Sequence, residues 1–134
     1  MRYLLALVVV ILVGAPAPAF PHDDGRFTGS PLHDWFNGLA SKKGSCCSFA
    51  DGVSVTDVDW DNDHGRYRVR LCARAPMAGE TWQTCGVKAW FDVPNDALIT
   101  EPNKLGPAVV WPYADSAHTP QIKCFMAGAG DLKR

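Results

Sequence analysis

Five cysteines constrain the fold of this chain more than any other feature of its sequence. Cys46, Cys47, Cys72, Cys85 and Cys124 all follow an apolar N-terminal leader. Thiols oxidise in compartments outside the cytosol, so these residues are candidates for covalent crosslinks within one small domain. The odd number leaves one cysteine either unpaired or bonded to a second chain, and the latter would give a disulfide-linked dimer.

The leader is typical of a secretory signal peptide. Arg2 precedes an unbroken apolar run over residues 4–13, and the small residues of Ala17-Pro18-Ala19 follow. The run is too short for a membrane span, which needs roughly 20 residues. We therefore expect residues 1–19 to be removed after Ala19, with an uncleaved anchor as the alternative. The mature protein should then be periplasmic or secreted, with no stable membrane span.

The rest of the chain is long enough for one domain. We expect a single disulfide-linked domain over residues 30–126, between a flexible mature N-terminus at 20–29 and a flexible tail at 127–134. Removing Arg2 from the 13 basic residues leaves 12 against 14 acidic ones. This balance argues against nucleic acid as a partner, because such binding usually needs a basic patch.

The apolar pattern predicts one helix and several strands. A stripe at helical spacing predicts an amphipathic helix over 31–41, begun by Ser30 and formed by Leu32, Trp35, Phe36 and Leu39. Alternating or continuous apolar runs predict strands at 53–60, 66–73, 81–93, 108–111 and 121–126, and in the last of these Ile122 and Cys124 should share a face. The expected fold class is α+β, mainly β: a small antiparallel sheet with one N-terminal helix, stapled by disulfides.

Residues 57–70 contain alternating aspartates that suggest a calcium loop. An EF-hand loop needs glycine at its sixth position and glutamate at its twelfth. A loop that starts at Asp59 has His64 and Arg70 at those positions. The segment therefore does not fit a calcium site, and we predict no bound metal there.

The same residues fit a β-hairpin that turns at residues 62–65. In this hairpin Trp60 faces Tyr67 and Val58 faces Val69, which gives one apolar face. The other face is a ladder of aspartate–arginine pairs, in which Asp59 faces Arg68, Asp57 faces Arg70 and Asp61 lies next to Arg66.

The spacing of the cysteines suggests two crosslinks. Cys72 and Cys85 lie in or beside predicted neighbouring strands, so a bond between them would clamp that pair. Cys124 then needs Cys46 or Cys47 as its partner, and the other vicinal cysteine is left over. A bond between Cys46 and Cys47 themselves would be strained. The functional alternative is a thiol- or metal-dependent activity centred on these two vicinal cysteines.

No motif in the sequence indicates catalysis or a cofactor. A copper(II) chelate at His22 is disfavoured because Pro21 lacks the amide proton that this chelate uses. Trp82 and Trp111 flank loops, and they would form a patch for a carbohydrate or peptide if they were exposed together. The favoured function is therefore a non-catalytic binding or interaction module of the cell envelope, with an unknown protein or small ligand as its partner.

Several phrases resemble a group of small exported bacterial proteins of unassigned activity. The group's outline is a vicinal cysteine pair followed by an acidic stretch and later by Trp-x-x-Val-Pro. The matching phrases are HDWFNGL at 33–39, SCCSFADG at 45–52, WFDVP at 90–94, ALITEPNKLGPAVVW at 97–111 and IKCF at 122–125. The resemblance implies a small exported domain and carries no catalytic activity with it. The segment from Cys72 to Cys85 looks like an addition to the outline.

Overall fold

The computed structural model describes residues 28–46 and 51–130. The predicted leader, most of the flexible N-terminus, Cys47 and the last four residues lie outside this part of the chain. Within it the fold is mainly β with one short helix, as predicted. The elements in chain order are α1 (His33–Asn37), β1 (Ala40–Ser41), β2 (Gly44–Ser45), β3 (Val53–Val55), β4 (Trp60–Asp63), β5 (Arg66–Cys72), β6 (Lys88–Asp92), a 3₁₀ turn (Asn95–Ala97), β7 (Ala108–Ala114) and β8 (Pro120–Met126).

The strands form three antiparallel sheets rather than one. β1 and β2 make a short ribbon, β3-β7-β8 make a sheet that we call the central sheet, and β4-β5-β6 make a sheet that we call the outer sheet. The central sheet is covered on both faces. Ala108 and Val110 join the inner core that it shares with the outer sheet, whereas Val109 and Trp111 join the helix-side core with Phe36 and Leu39. Burial on both faces explains why β7 begins with four consecutive apolar residues.

The helix is shorter than predicted. It ends before Gly38, and the chain then forms the β1–β2 ribbon, which turns through Lys42 and Lys43. Ser30 does not cap the helix directly; its hydroxyl accepts the N–H of Leu32 at 3.2 Å. The predicted apolar stripe nevertheless packs as expected, because Leu39 lies only two residues beyond the helix.

The predicted hairpin exists, but its register was wrong by two residues. The turn contains only His64 and Gly65, so Trp60 lies opposite Val69 and Asp61 lies opposite Arg68. A shift of two keeps every side chain on its predicted face, and the aspartate–arginine ladder therefore survives with different partners. Val58 does not face Val69; it lies before the strand and is 76% exposed.

Two predicted strands were too long. The segment predicted at 53–60 contains β3 and only the first residue of β4, because a turn closed by the Asp59 N–H on the carbonyl of Thr56 interrupts it. The segment predicted at 81–93 is a strand only at Lys88–Asp92. Its first residues form turns, in which the hydroxyl of Thr84 accepts the N–H of Thr81 at 2.8 Å.

The prediction that Ile122 and Cys124 share a face of β8 was wrong, because this strand contains a β-bulge. Trp111 pairs with Cys124, but the next residue, Pro112, pairs with Ile122. Lys123 is therefore the additional residue, and it reverses the alternation of side chains. As a result Ile122 belongs to the inner core and Cys124 to the helix-side core, although the sequence pattern placed both on one face.

The structure contains two disulfides. Cys72 is bonded to Cys85, with 5.8 Å between their Cα atoms, and this bond holds the 81–86 turns over β5. Cys46 is bonded to Cys124, with 5.5 Å between their Cα atoms. Cys46 is therefore the vicinal cysteine that ties the segment after β2 to the last strand.

Candidate ligand-binding site

The structure does not bring the two tryptophans of the predicted ligand patch together. Trp111 is only 2% exposed and lies in the helix-side core. Trp82 is half-buried and packs against the inner core, on the opposite face of the central sheet. A cavity of about 350 Å³ does border Trp111, between Asp51, Tyr113 and Lys123. The buried Trp111 ring offers a ligand very little surface there.

A different tryptophan lines a cavity of about 300 Å³, which we call the Trp60 pocket. Its walls come from the turn before β4, the start of β4, the loop before β7 and the segment after β8. The lining residues are Asp57, Trp60, Asp61, Asn62, Gly106, Pro107, Gly128 and Gly130. Sequence reasoning placed Trp60 in sheet packing and Gly128 and Gly130 in a flexible tail, so it missed this site.

Asn103 fixes the loop wall of the pocket. Its side-chain amide donates hydrogen bonds to the carbonyls of Pro107 at 2.7 Å and Ala127 at 2.8 Å. Its side-chain oxygen accepts the N–H groups of Leu105 and Gly106. The half-buried side-chain amide of Asn103 therefore joins the loop before β7 to the segment after β8. An asparagine between proline and glycine residues in the sequence indicates such a turn. The sequence does not show that the side chain also bonds to the distant Ala127.

Trp60 forms the rigid floor of the pocket. Its ring stacks on Tyr67, with 6.4 Å between centroids, and lies 6.2 Å from the ring of Phe125. A Cβ atom at Gly128 would lie 2.9 Å from the indole Cζ2, so this position has no room for a side chain. The indole N–H is buried and donates to no acceptor among the described residues.

The two carboxylates at the pocket differ in their partners. Asp61 receives two hydrogen bonds from the Arg68 guanidinium, at 3.1 and 2.6 Å. This pairing raises the pKa of Arg68 above its ordinary value. Asp57 is exposed, and it forms no ion pair with any residue in the described ranges. Asp57 is therefore the carboxylate that can interact with a ligand without first breaking an internal contact.

The vicinal cysteines do not form a thiol pair in this structure. Cys46 is fully buried and bonded to Cys124, while Cys47 lies outside the described residues. His33 contacts Asp34 at 3.1 Å and Asn37 at 3.1 Å. Within residues 28–46 and 51–130, no three histidine, cysteine, aspartate or glutamate side chains are arranged to hold a metal ion. The aspartates of the former calcium candidate bind arginines instead: Asp61 binds Arg68, and Asp63 binds Arg66 at 3.1 Å.

Comparison with models of protein families, with curated proteins and with solved structures finds no significant match. In the portion of the chain that the structure describes, no helix has the length and apolarity needed to cross a bilayer. The two disulfides are characteristic of proteins that fold in an oxidising compartment outside the cytoplasm.

Proposed function

We propose that this protein is an exported, non-catalytic binding module, periplasmic or secreted, whose ligand occupies the Trp60 pocket. The observation that carries the proposal is the combination of a packed indole floor, backbone walls and the Asp57 carboxylate, which has no ion-pair partner among the described residues, around one cavity. Pockets that combine an apolar surface with a few fixed polar groups are the usual sites of small-molecule binding. The two disulfides and the signal-peptide-like leader support export.

The groups of the pocket favour a ring-shaped ligand that donates hydrogen bonds. An indole packs well against the flat apolar face of a saccharide ring. The Asp57 carboxylate can only accept hydrogen bonds, and it attracts a positive charge. An amino sugar offers both features, since it carries a ring, hydroxyl donors and an ammonium group. A thiol- or metal-dependent activity that used both vicinal cysteines, in contrast, would need the Cys46 sulfur that the bond to Cys124 occupies.

Titration with glucose and glucosamine tests this proposal, because the two probes share a ring and differ in the ammonium group. The chemical shift of the Trp60 indole N–H, followed by NMR, reports binding at the pocket. We expect glucosamine to shift this signal at lower concentration than glucose does. Asp57→Asn should reduce the preference for glucosamine about 5- to 10-fold, which corresponds to the loss of one charge-assisted contact of about 1 kcal/mol.

Asp34→Asn is the matched control. Asp34 is an exposed aspartate on α1, and α1 packs on the opposite face of the central sheet, so this variant should bind both sugars like the wild type. If neither sugar shifts the Trp60 signal, or if both variants bind alike, the pocket is not an amino-sugar site.

A further inference from the structure

Strand β6 forms a free edge of the outer sheet. The order of this sheet is β4-β5-β6, so within residues 28–46 and 51–130 β6 has a neighbouring strand on one side only. The Val93 N–H donates to Tyr67 at 2.9 Å, and the carbonyl of Val87 accepts the N–H of Ala73 at 3.0 Å. Backbone groups alternate in direction along a strand. The odd-numbered residues of β6 therefore bond to β5, and the N–H and C=O groups of Lys88, Trp90 and Asp92 point away from the sheet.

The sequence of this edge, Lys88-Ala89-Trp90-Phe91-Asp92, is complementary to itself when it is reversed. We propose that two copies of the protein pair antiparallel through β6, about a two-fold axis at Trp90. Lys88 of each copy then lies opposite Asp92 of the other, and the two Trp90 residues face each other. The outward backbone groups of these three residues would form six intermolecular hydrogen bonds, because each opposed pair exchanges two.

The side chains of β6 fit this pairing. The Lys88 ammonium contacts Gln83 at 2.8 Å and Asp59 at 3.5 Å, and a lysine has three donors, so one remains for Asp92 of the second copy. Trp90 lies at the centre of β6 and is 44% exposed. Pairing would place the two Trp90 rings side by side, where aromatic pairs across antiparallel strands are favourable.

The edges at β8 and β4 fit a second copy less well. Residues 98 and 99 cover β8, and the Ile99 N–H donates to Phe125. Strand β4 contains two aspartates and no lysine or arginine, so in reversed pairing of β4 with itself no aspartate would face a cation on the β4 strand of the second copy. Pro94 has no N–H and follows β6 closely, and it therefore limits the ladder to about five residues.

A five-residue ladder gives a small interface. Interfaces below about 1,200 Å² belong to weak, reversible complexes. We therefore expect a dimer that dissociates on dilution, which is distinct from a disulfide-linked dimer. This surface lies at the opposite edge of the outer sheet from β4 and the Trp60 pocket, so the two proposals can fail separately.

Sedimentation equilibrium of the oxidised mature protein with Cys47→Ser tests the proposal without covalent crosslinking. From about 10 μM to about 1 mM we expect a shift from monomer to dimer. Hydrogen exchange followed by NMR should show that protection of the Lys88, Trp90 and Asp92 amides rises with concentration over the same range. The amides of Ala89 and Phe91 should be protected throughout, because they bond within the monomer.

Charge variants test the register. Asp92→Lys places lysines opposite each other and should weaken the dimer at least 10-fold. Asp63→Lys makes the same charge change on β4 and should leave the dimer intact. Mixing Asp92→Lys with Lys88→Glu should restore a mixed dimer. The proposal is overturned if the protein remains monomeric at every concentration, or if a dimer forms while the three outward amides stay unprotected.

Discussion

At the scale of single residues, two-residue turns and close contacts fix the geometry of the outer sheet. His64 and Gly65 both have positive φ, at 53° and 83°. Turns of this kind have a twist that matches the twist of the flanking strands, and they tolerate glycine far better than residues with a Cβ. His64 adopts this conformation with its imidazole bonded to Asp63 at 2.6 Å, and this contact is the main cause of the lowered pKa of Asp63.

Gly65→Ala should destabilise the protein by about 1 kcal/mol, because alanine is strained at positive φ. Chemical denaturation at neutral pH measures the change. Gly86→Ala is the matched control, since Gly86 does not have positive φ and a Cβ atom there meets nothing within 4 Å. That variant should stay within about 0.5 kcal/mol of the wild type. Equal losses of stability in the two variants would show that the positive φ of Gly65 is not the cause.

The roles of individual tryptophans could not be read from their sequence positions. Trp111 ends the strand predicted at 108–111 and flanks a loop, so its sequence position fits a buried ring as well as an exposed one. In the fold, a Cβ atom added to Gly52 would lie 3.0 Å from its ring, which shows how closely the chain covers it. Trp60 has the alternating pattern of a packed sheet residue, but it also lines the pocket. Exposure depends on which distant segment covers a ring, and local periodicity does not contain that information.

At the scale of elements, the pairing of neighbouring strands was easier to predict from the sequence than the division of the strands among sheets. The β4–β5 hairpin and the Cys72–Cys85 clamp follow from local pattern and spacing, because their partners are close in the chain. The bulge at Lys123 depends on contacts between β7 and β8 and leaves no signature in composition. Asn103 likewise acts on residues up to 24 positions away. These predictions failed because a long-range contact decides the local geometry, whereas the hairpin register and the strand ends at 53–60 and 81–93 failed because local turns were missed.

The connection between β7 and β8 contains a carboxylate that should make stability depend on pH. Asp115 accepts the N–H groups of Thr119 and Ala117, both at 2.9 Å. The hydrogen bond from Thr119 is the main cause that lowers the pKa of Asp115 below its ordinary value of 3.8. The folded pKa lies below the unfolded one, so the stabilisation is present at neutral pH and is lost as the pH falls through the folded pKa.

Asp115→Asn should therefore be less stable than the wild type at pH 7, and the difference should shrink as the pH falls through the folded pKa of Asp115. Asparagine removes the charge and keeps the oxygen that accepts the Thr119 and Ala117 N–H groups, but it loses the acceptor of the Gln121 amide at 3.2 Å, so the pH dependence of the difference, rather than its size at pH 7, reports the ionisation. Urea denaturation of both proteins at several pH values measures the difference. A gap in stability that is the same at pH 7 and pH 3 would show that the charge of Asp115 has no part in it.

At the scale of the whole molecule, each disulfide belongs to a different layer. The Cys46–Cys124 bond is buried in the helix-side core, where it connects the segment after β2 to the last strand. The Cys72–Cys85 bond lies at the outer sheet and connects residues only 13 positions apart. The central sheet is the element common to both cores, so loss of packing on either of its faces should affect the other. One cooperative unfolding transition is therefore expected, as in most small domains.

The two disulfides should contribute unequally to this single transition. A crosslink lowers the entropy of the unfolded chain, and the effect grows with the length of the closed loop. The bond between Cys46 and Cys124 spans 78 positions, which corresponds to about 4–5 kcal/mol, against about 3 kcal/mol for the shorter loop. Thermal denaturation should therefore give a lower midpoint for Cys46→Ala/Cys124→Ala than for Cys72→Ala/Cys85→Ala. Both variants should carry Cys47→Ser, so that no replacement bond forms. If the shorter loop proves the more stabilising, the clamp at the outer sheet acts through native packing rather than through chain entropy, and the stability of the domain centres on β5 and β6.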